Sequence, residues 1–204
     1  MNTRLIIIGA RAMGREVCAY AWDAGFAVKG FLDEKVDAID GFEGYPPILA
    51  SVEAYEVCED DVFVVALGDP ECKRKYVEVI AAKGGRFMSI VHPAAYIGKN
   101  VVLGCGCIVC PNSTITNDVI IGDHVIINVN ASINHDNRIG KYATLCPGCH
   151  LAGRVRVGER TFVGTGAVVI PDVELGSGVY VAAGATVVDS FETGTIMGTP
   201  ARQK

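Results

Sequence analysis

The chain has 204 residues, enough for one large domain or two small ones, each with its own core. Half of the residues are hydrophobic and a fifth are charged, as in an ordinary globular protein. The net charge of −5 comes without a basic cluster anywhere, which argues against nucleic-acid and anionic-membrane partners.

From the first residue onward, the elements follow a strand–helix grammar. Arg4–Ile8 is a short apolar run that stops at Gly9, as a buried strand does. Its apolar part is too short for the h-region of a signal peptide, and nothing later approaches a membrane span, so a cytoplasmic protein is expected. Met13 to Ala24 reads as a helix with Gly25 at the C′ position. Val28–Leu32 is a second strand that ends in Asp33, and Val62–Ala66 is a third that closes on Gly68. Asp69 and Pro70 supply an N-cap and a first helical residue, opening a helix that runs to Gly84-Gly85. Residues 1–90 are therefore expected to form a small α/β, Rossmann-like domain with a mostly parallel sheet.

After His92-Pro93 the grammar changes, and residues 91–204 form the second expected domain. An aliphatic residue recurs at every sixth position from Ile97 to Val187, sixteen times without a slip. Neither a helix, with its period of 3.6, nor an ordinary strand, with its period of 2, repeats in this way. A strict hexad fits a parallel β-helix, three short strands per coil, in which residues 18 apart stack on one face. That register bears on the eight cysteines. Cys110 and Cys146 are 36 residues apart, with Asn128 between them, and Cys107 and Cys149 fall on different inward faces. Free thiols acting as small core residues are expected, not a zinc site or a disulfide framework.

Chemistry has to come from side chains that break this pattern. The break is the hexad from Ile133 to Arg138, where Asn137 takes a position that other repeats give to a small or aliphatic residue. Within it His135 is followed by Asp136, and Asn128, Asn130 and Asn134 lie just upstream. An imidazole beside an acid is a natural proton acceptor at cellular pH. A surface histidine on a tolerant corner, with asparagines supplying turn geometry, would give the same letters. Gly153 lies one coil beyond His135, where a bare backbone N–H could face an oxyanion. In the first domain, the loop from Gly9 to Gly14 has the strand–turn–helix setting of a phosphate cradle, with Arg11 at its middle and Asp33 at the end of the next strand. A capped turn with a surface acid would read alike.

Taken together, the pieces resemble the left-handed β-helix acyltransferases of bacterial sugar metabolism, which carry an amino-terminal nucleotide-sugar domain. That family includes the sialic acid O-acetyltransferases and the nucleotide-4-amino-sugar N-acetyltransferases. The resemblance spans the chain: IIIGARAMGREV, GFLDE, VVALGDPECKRK, the hexads with INHDNRIG, and the terminal MGTPAR. It implies a homotrimer with acetyl-CoA in the groove between neighbouring subunits, no metal, and no covalent enzyme intermediate. By it, His135 matches the general base, Asp136 the acid that orients it, and Gly153 the amide that meets the thioester oxygen. Asn128 matches a polar residue near the acceptor, and Gly198, Pro200 and Ala201 the terminal motif on the cofactor side. Gly9, Asp33, Gly68 and Asp69 match positions around the nucleotide. Here the family's glycine pair is Arg11-Ala12, and Pro70 and Lys73 replace an Asn and an Arg, so Arg11 and Lys73 join the expected substrate contacts. The resemblance implies acetyl transfer to the amino group of a nucleotide-linked amino sugar. O-acetylation of a sialic acid and a non-catalytic nucleotide-sugar-binding protein are the alternatives. A carbonic anhydrase on the same helix would need His124, His135 and His150 to converge on zinc.

Overall fold

The structure is a computed structural model that describes residues 4–203. Its first domain is built on β1 (Arg4–Ile8), β2 (Val28–Leu32), β3 (Ile48–Ala50), β4 (Asp61–Val65) and β5 (Arg86–Phe87). These five strands form one parallel sheet in the order β3-β2-β1-β4-β5. β1 is central and covered on both faces, which is why Leu5 to Ile8 are continuously apolar and buried. Helix α1 (Ala12–Asp23) buries Gly14, Val17, Cys18 and Ala21, a stripe at helical spacing. Helix α2 (Pro70–Ala82) buries Pro70, Lys73, Val77 and Ile80 in the same way. The third strand begins one residue before the expected Val62, and β3 and β5 are additions to the three strands expected.

The second domain is a left-handed parallel β-helix. Seventeen two-residue strands run from β6 (Ile90–Val91) to β22 (Thr186–Val187), one every six residues, so the repeat starts one hexad before Ile97. Three flat sheets result, and among these seventeen strands every partner is 18 residues away, as in Thr114↔Ser132 and Ile126↔Thr144. The first aliphatic residue of each hexad and the small residue four places later fill one continuous interior. Between them, the fourth position of every hexad from Asn100 to Gly184 turns the corner with positive φ. The chain ends in a hairpin of β23 (Thr195–Gly198) and β24 (Ala201–Gln203).

The domains meet on one face of the β-helix. There the outward residues Ile90, Ile108 and Ile126 are fully buried, packed with Val17, Cys18 and Ala21 of α1. On another face the matching column is Val102, Ile120, Arg138, Arg156 and Glu174, and it stays largely exposed. Burying an isoleucine is worth about 1.5–3 kcal/mol, so three of them are enough to select the docking face. All eight cysteines are free thiols.

Candidate active site

His135 and Asp136 sit on the corner between Ser132–Ile133 and Arg138–Ile139. Asp136 takes the left-handed conformation, φ 62°, one of the few non-glycine residues that does so readily. Its carboxylate then reaches back to the preceding side chain: His135 Nδ1 and Asp136 Oδ2 are 2.7 Å apart. With Nδ1–H donated to the carboxylate, Nε2 carries the free lone pair. Both side chains are half exposed, at 55% and 54%, so a substrate can reach them.

The ring lies flat over Gly153 in the next coil. A Cβ on Gly153 would stand 2.5 Å from His135 Cε1 and 2.6 Å from Nε2, so only glycine admits the imidazole there. The His135 carbonyl accepts from Arg154 N at 2.9 Å, and Arg154 is itself held by Asp172 through two hydrogen bonds of 2.6 and 2.9 Å. Among the described residues the Gly153 N–H has no acceptor. A proton acceptor and a free amide donor are thus stacked on adjacent coils, which is an arrangement suited to acyl transfer.

A second feature lies in the first domain. A cavity of about 410 Å³ opens at the carboxyl ends of β1, β2 and β4, the position where open α/β sheets bind ligands. Gly9, Arg11, Asp33 and Gly68 line it, as do Glu34, Cys72 and Tyr76, which the sequence did not single out. Gly9 turns with φ 96°, and Gly14 packs so closely on the Gly9 carbonyl that a side chain would collide with it. Arg11 is the N-cap of α1 but makes no side-chain capping bond, which leaves the first-turn amides open to an anion. Asp33 accepts from Ala10 N and from Lys35 N, both at 2.9 Å, so its carboxylate also fixes the loop.

Other expected residues lie elsewhere. Lys73 is the clear correction. It points away from the cavity into the domain interface, where its Nζ donates to Ala143 O at 3.1 Å and Thr144 Oγ1 at 3.0 Å. Burial drives its pKa down to about 7. Asp69 caps α2 through Cys72 N at 2.7 Å and is not part of the cavity lining. Asn128, stacked between Cys110 and Cys146, accepts from Val129 N at 2.9 Å and makes no hydrogen bond to His135. Gly198, Pro200 and Ala201 form the turn of the terminal hairpin, with Gly198 paired to Ala201. His124 is buried between Phe87 and Tyr142 with its pKa pushed down to about 4, and His150 bonds Ser132 on a flat face. Enclosed in this way, His124 is not offered to a zinc shared between subunits, as the carbonic anhydrase reading requires.

Residues 4–80 match the PglD N-terminal domain, and residues 154–189 match the six-repeat bacterial transferase hexapeptide. The acetyltransferase domain of PglB from Neisseria gonorrhoeae is 30% identical, with 100% of each chain covered and a TM-score of 0.91. The chain belongs to this family of bacterial sugar acetyltransferases. It is an acyl-CoA-dependent acetyltransferase. PerB from Caulobacter crescentus, solved in complex with CoA and GDP-perosamine, is 31% identical over 98% of this chain and 96% of its own, with a TM-score of 0.90. A structure of WeeI from Acinetobacter baumannii, 22% identical with a TM-score of 0.73, shares the fold. No curated protein matches the chain.

Proposed function

We propose that this enzyme transfers the acetyl group of acetyl-CoA to the amino group of a nucleotide-linked amino sugar. The observation that carries the mechanism is the His135–Asp136 pair lying over Gly153. Acetyl-CoA supplies a thioester, whose carbonyl oxygen becomes negative as the amine attacks. His135 Nε2 takes the proton from the amine, Asp136 holds the imidazole in the required tautomer, and the Gly153 N–H donates to the developing oxyanion. The free amide fits that role because it is unsatisfied and lies beside the base. A positioned base is worth about 10²–10⁴-fold and one oxyanion donor about 10²–10³-fold, so alignment of the two substrates supplies much of the rest.

Transfer is direct, without an acyl-enzyme. Burial pushes the thiols of Cys107 and Cys146 up to about 11 and those of Cys18, Cys110 and Cys149 up to about 12. Those thiols are neutral at physiological pH and poor nucleophiles. Of the three exposed ones, Cys72 is raised by its contact with Asp69 and Cys105 by burial, while Cys58 lies before the amino end of β4, opposite the cavity. Amine acceptance follows PerB, whose structure holds an amino sugar linked to GDP. In our reading the sheet-end cavity holds the nucleotide through Gly9, Arg11, Asp33 and Gly68. His135 is not among the residues lining that cavity. A homotrimer resolves the separation by placing the cavity of one subunit beside the His135 of its neighbour, with acetyl-CoA in the groove between them. Asn128 and the terminal Gly198, Pro200 and Ala201 then border that groove. The free thiols suit a cytoplasmic enzyme. No helix among the described residues is long and apolar enough to cross a membrane.

The test is thiol release from acetyl-CoA over a panel of UDP-, GDP- and dTDP-linked amino sugars. At least one should support turnover, and His135→Ala should lower kcat by about 10²–10⁴-fold while acetyl-CoA still binds. Near-wild-type turnover by that variant would remove His135 from the chemistry.

A further inference from the structure

The inward column that passes beneath the active corner reads Val101, Val119, Asn137, Val155 and Val173. Four valines and one asparagine stack at intervals of 18, and the asparagine follows the His135–Asp136 pair directly. Asn137 is fully buried. A valine there would satisfy the β-helix, whereas an amide placed in an apolar interior costs about 1–3 kcal/mol for each polar group left without a partner. One such group is left: Asn137 Oδ1 is buried with no hydrogen-bond partner. The chain therefore keeps a less stable residue at this one place in the column.

Its two N–H groups show what the residue does. Nδ2 donates to Asn134 O at 2.6 Å and to Ala152 O at 2.8 Å. The Asn134 carbonyl belongs to the peptide unit that carries the nitrogen of His135. The Ala152 carbonyl belongs to the peptide unit whose N–H is that of Gly153. A single amide group thus ties the backbone under the base to the backbone of the oxyanion donor, across two coils. The bond to Ala152 O also polarises that peptide unit, which makes the Gly153 N–H a stronger donor.

Part of this is ordinary for the fold. Thr161, at the same hexad position, donates to Gly176 O at 2.8 Å, the carbonyl 15 residues ahead. Ser113, also at that position, makes the other bond, donating to Cys110 O at 2.7 Å, three residues back. Asn137 joins both bonds in one amide, and does so at the coil that carries His135. We propose that Asn137 is a positioning residue of the acetyl-transfer reaction, setting the distance and orientation between the His135 imidazole and the Gly153 amide. This rests on the function proposed above and names a residue of that site which touches neither substrate.

Two variants separate positioning from stability. Asn137→Val restores the valine column and should fold with a Tm equal to or above that of the wild type. Its kcat should fall about 10- to 100-fold, the cost of sub-ångström to ångström misplacement, with KM for acetyl-CoA within about twofold. Asn137→Thr can make the single bond that Thr161 makes, and its kcat should lie between the two. The pH profile of kcat should shift in the valine variant, because the hydrogen-bonded backbone around the base changes. If Asn137→Val keeps kcat within about twofold and an unchanged pH profile, the positioning role is overturned, whatever its Tm. If the wild type itself turns over no amino sugar, the proposed function fails and the coupling is read by NMR instead. The His135 ring titration and the Gly153 amide shift should both move in Asn137→Val. Their constancy would overturn the inference independently of activity.

Discussion

At the scale of single residues, the proposed site depends on an absence of atoms as much as on the proposed base. Gly153 does not take the positive φ that favours glycine, so nothing in its backbone demands one. What demands it is the His135 ring, 2.5–2.6 Å from where a Cβ would lie. Gly153→Ala should therefore fold normally, because the imidazole is half exposed and free to swing outward. On the proposed mechanism, activity should then fall by about 10²-fold or more, since His135 leaves the amide beside which it would act. Measuring kcat together with thermal unfolding tests this: a loss of both would mean that Gly153 serves the fold instead. His135 and Gly153 were legible in the sequence because one breaks the hexads and the other lies 18 residues further on. Asn137 was legible only as an oddity, since the letters do not reveal which carbonyls its amide reaches. Lys73 was misplaced for a simpler reason. It was matched to a nucleotide motif, although its spacing to Val77 and Ile80 puts it on the buried stripe of α2.

Among the elements, the corners distinguish two kinds of glycine that the hexad pattern alone runs together. Gly104, Gly122, Gly140, Gly158 and Gly176 stack in one column where successive coils nearly touch. A Cβ on Gly140 would stand 2.6 Å from Glu159 N and 2.7 Å from Gly158 C, both backbone atoms with nowhere to move. Gly178, by contrast, turns its corner at φ 73° with open space around it. Gly178→Ala should cost about 1–2 kcal/mol, the ordinary price of the left-handed conformation, and Gly178→Asn less. Gly140→Ala must push two coils apart, so its loss should be clearly larger, measured as ΔG of unfolding in guanidinium chloride. Equal losses at the two sites would show that close stacking adds nothing to the demand for glycine. Periodicity announced the sheets and the interior because both depend on every sixth side chain. It was silent on which corners are crowded, since that depends on distances between backbones of different coils.

Across the whole molecule, the docking of the two domains places a charge where the sequence suggests none. The ammonium of Lys73 is buried between α2 and the β-helix, near Cys107, Asp69 and Cys146, with His124 on the same interface. Burial lowers its pKa from 10.5 to about 7, the opposing pull of those neighbours being smaller. Between those two values the unfolded lysine holds a proton that the folded one has released. Unfolding therefore takes up protons, and stability rises with pH across this window; below about 7 the slope from this group vanishes and the full cost of the buried charge is present. His124, lowered to about 4, adds the same sign only between about 4 and 6.5. The raised thiols of Cys18, Cys107, Cys110, Cys146 and Cys149 act in the opposite direction as unfolded thiols ionise on the approach to pH 9 and above. Those thiols are shared by wild type and a Lys73 variant, so the difference between the two proteins from pH 7 to 9 isolates the lysine. Relative to Lys73→Met, wild-type protein should gain on the order of 1–3 kcal/mol across that interval, by the conversion of about 1.4 kcal/mol per pH unit. Lys73→Met should lose that slope. The variant leaves Ala143 O still bonded to Ile126 N at 3.1 Å, and gives up only the Thr144 partner, worth about 1 kcal/mol. Denaturant unfolding of both proteins at pH 7, 8 and 9 decides the matter: parallel pH curves for wild type and variant would mean that Lys73 stays protonated in the interface.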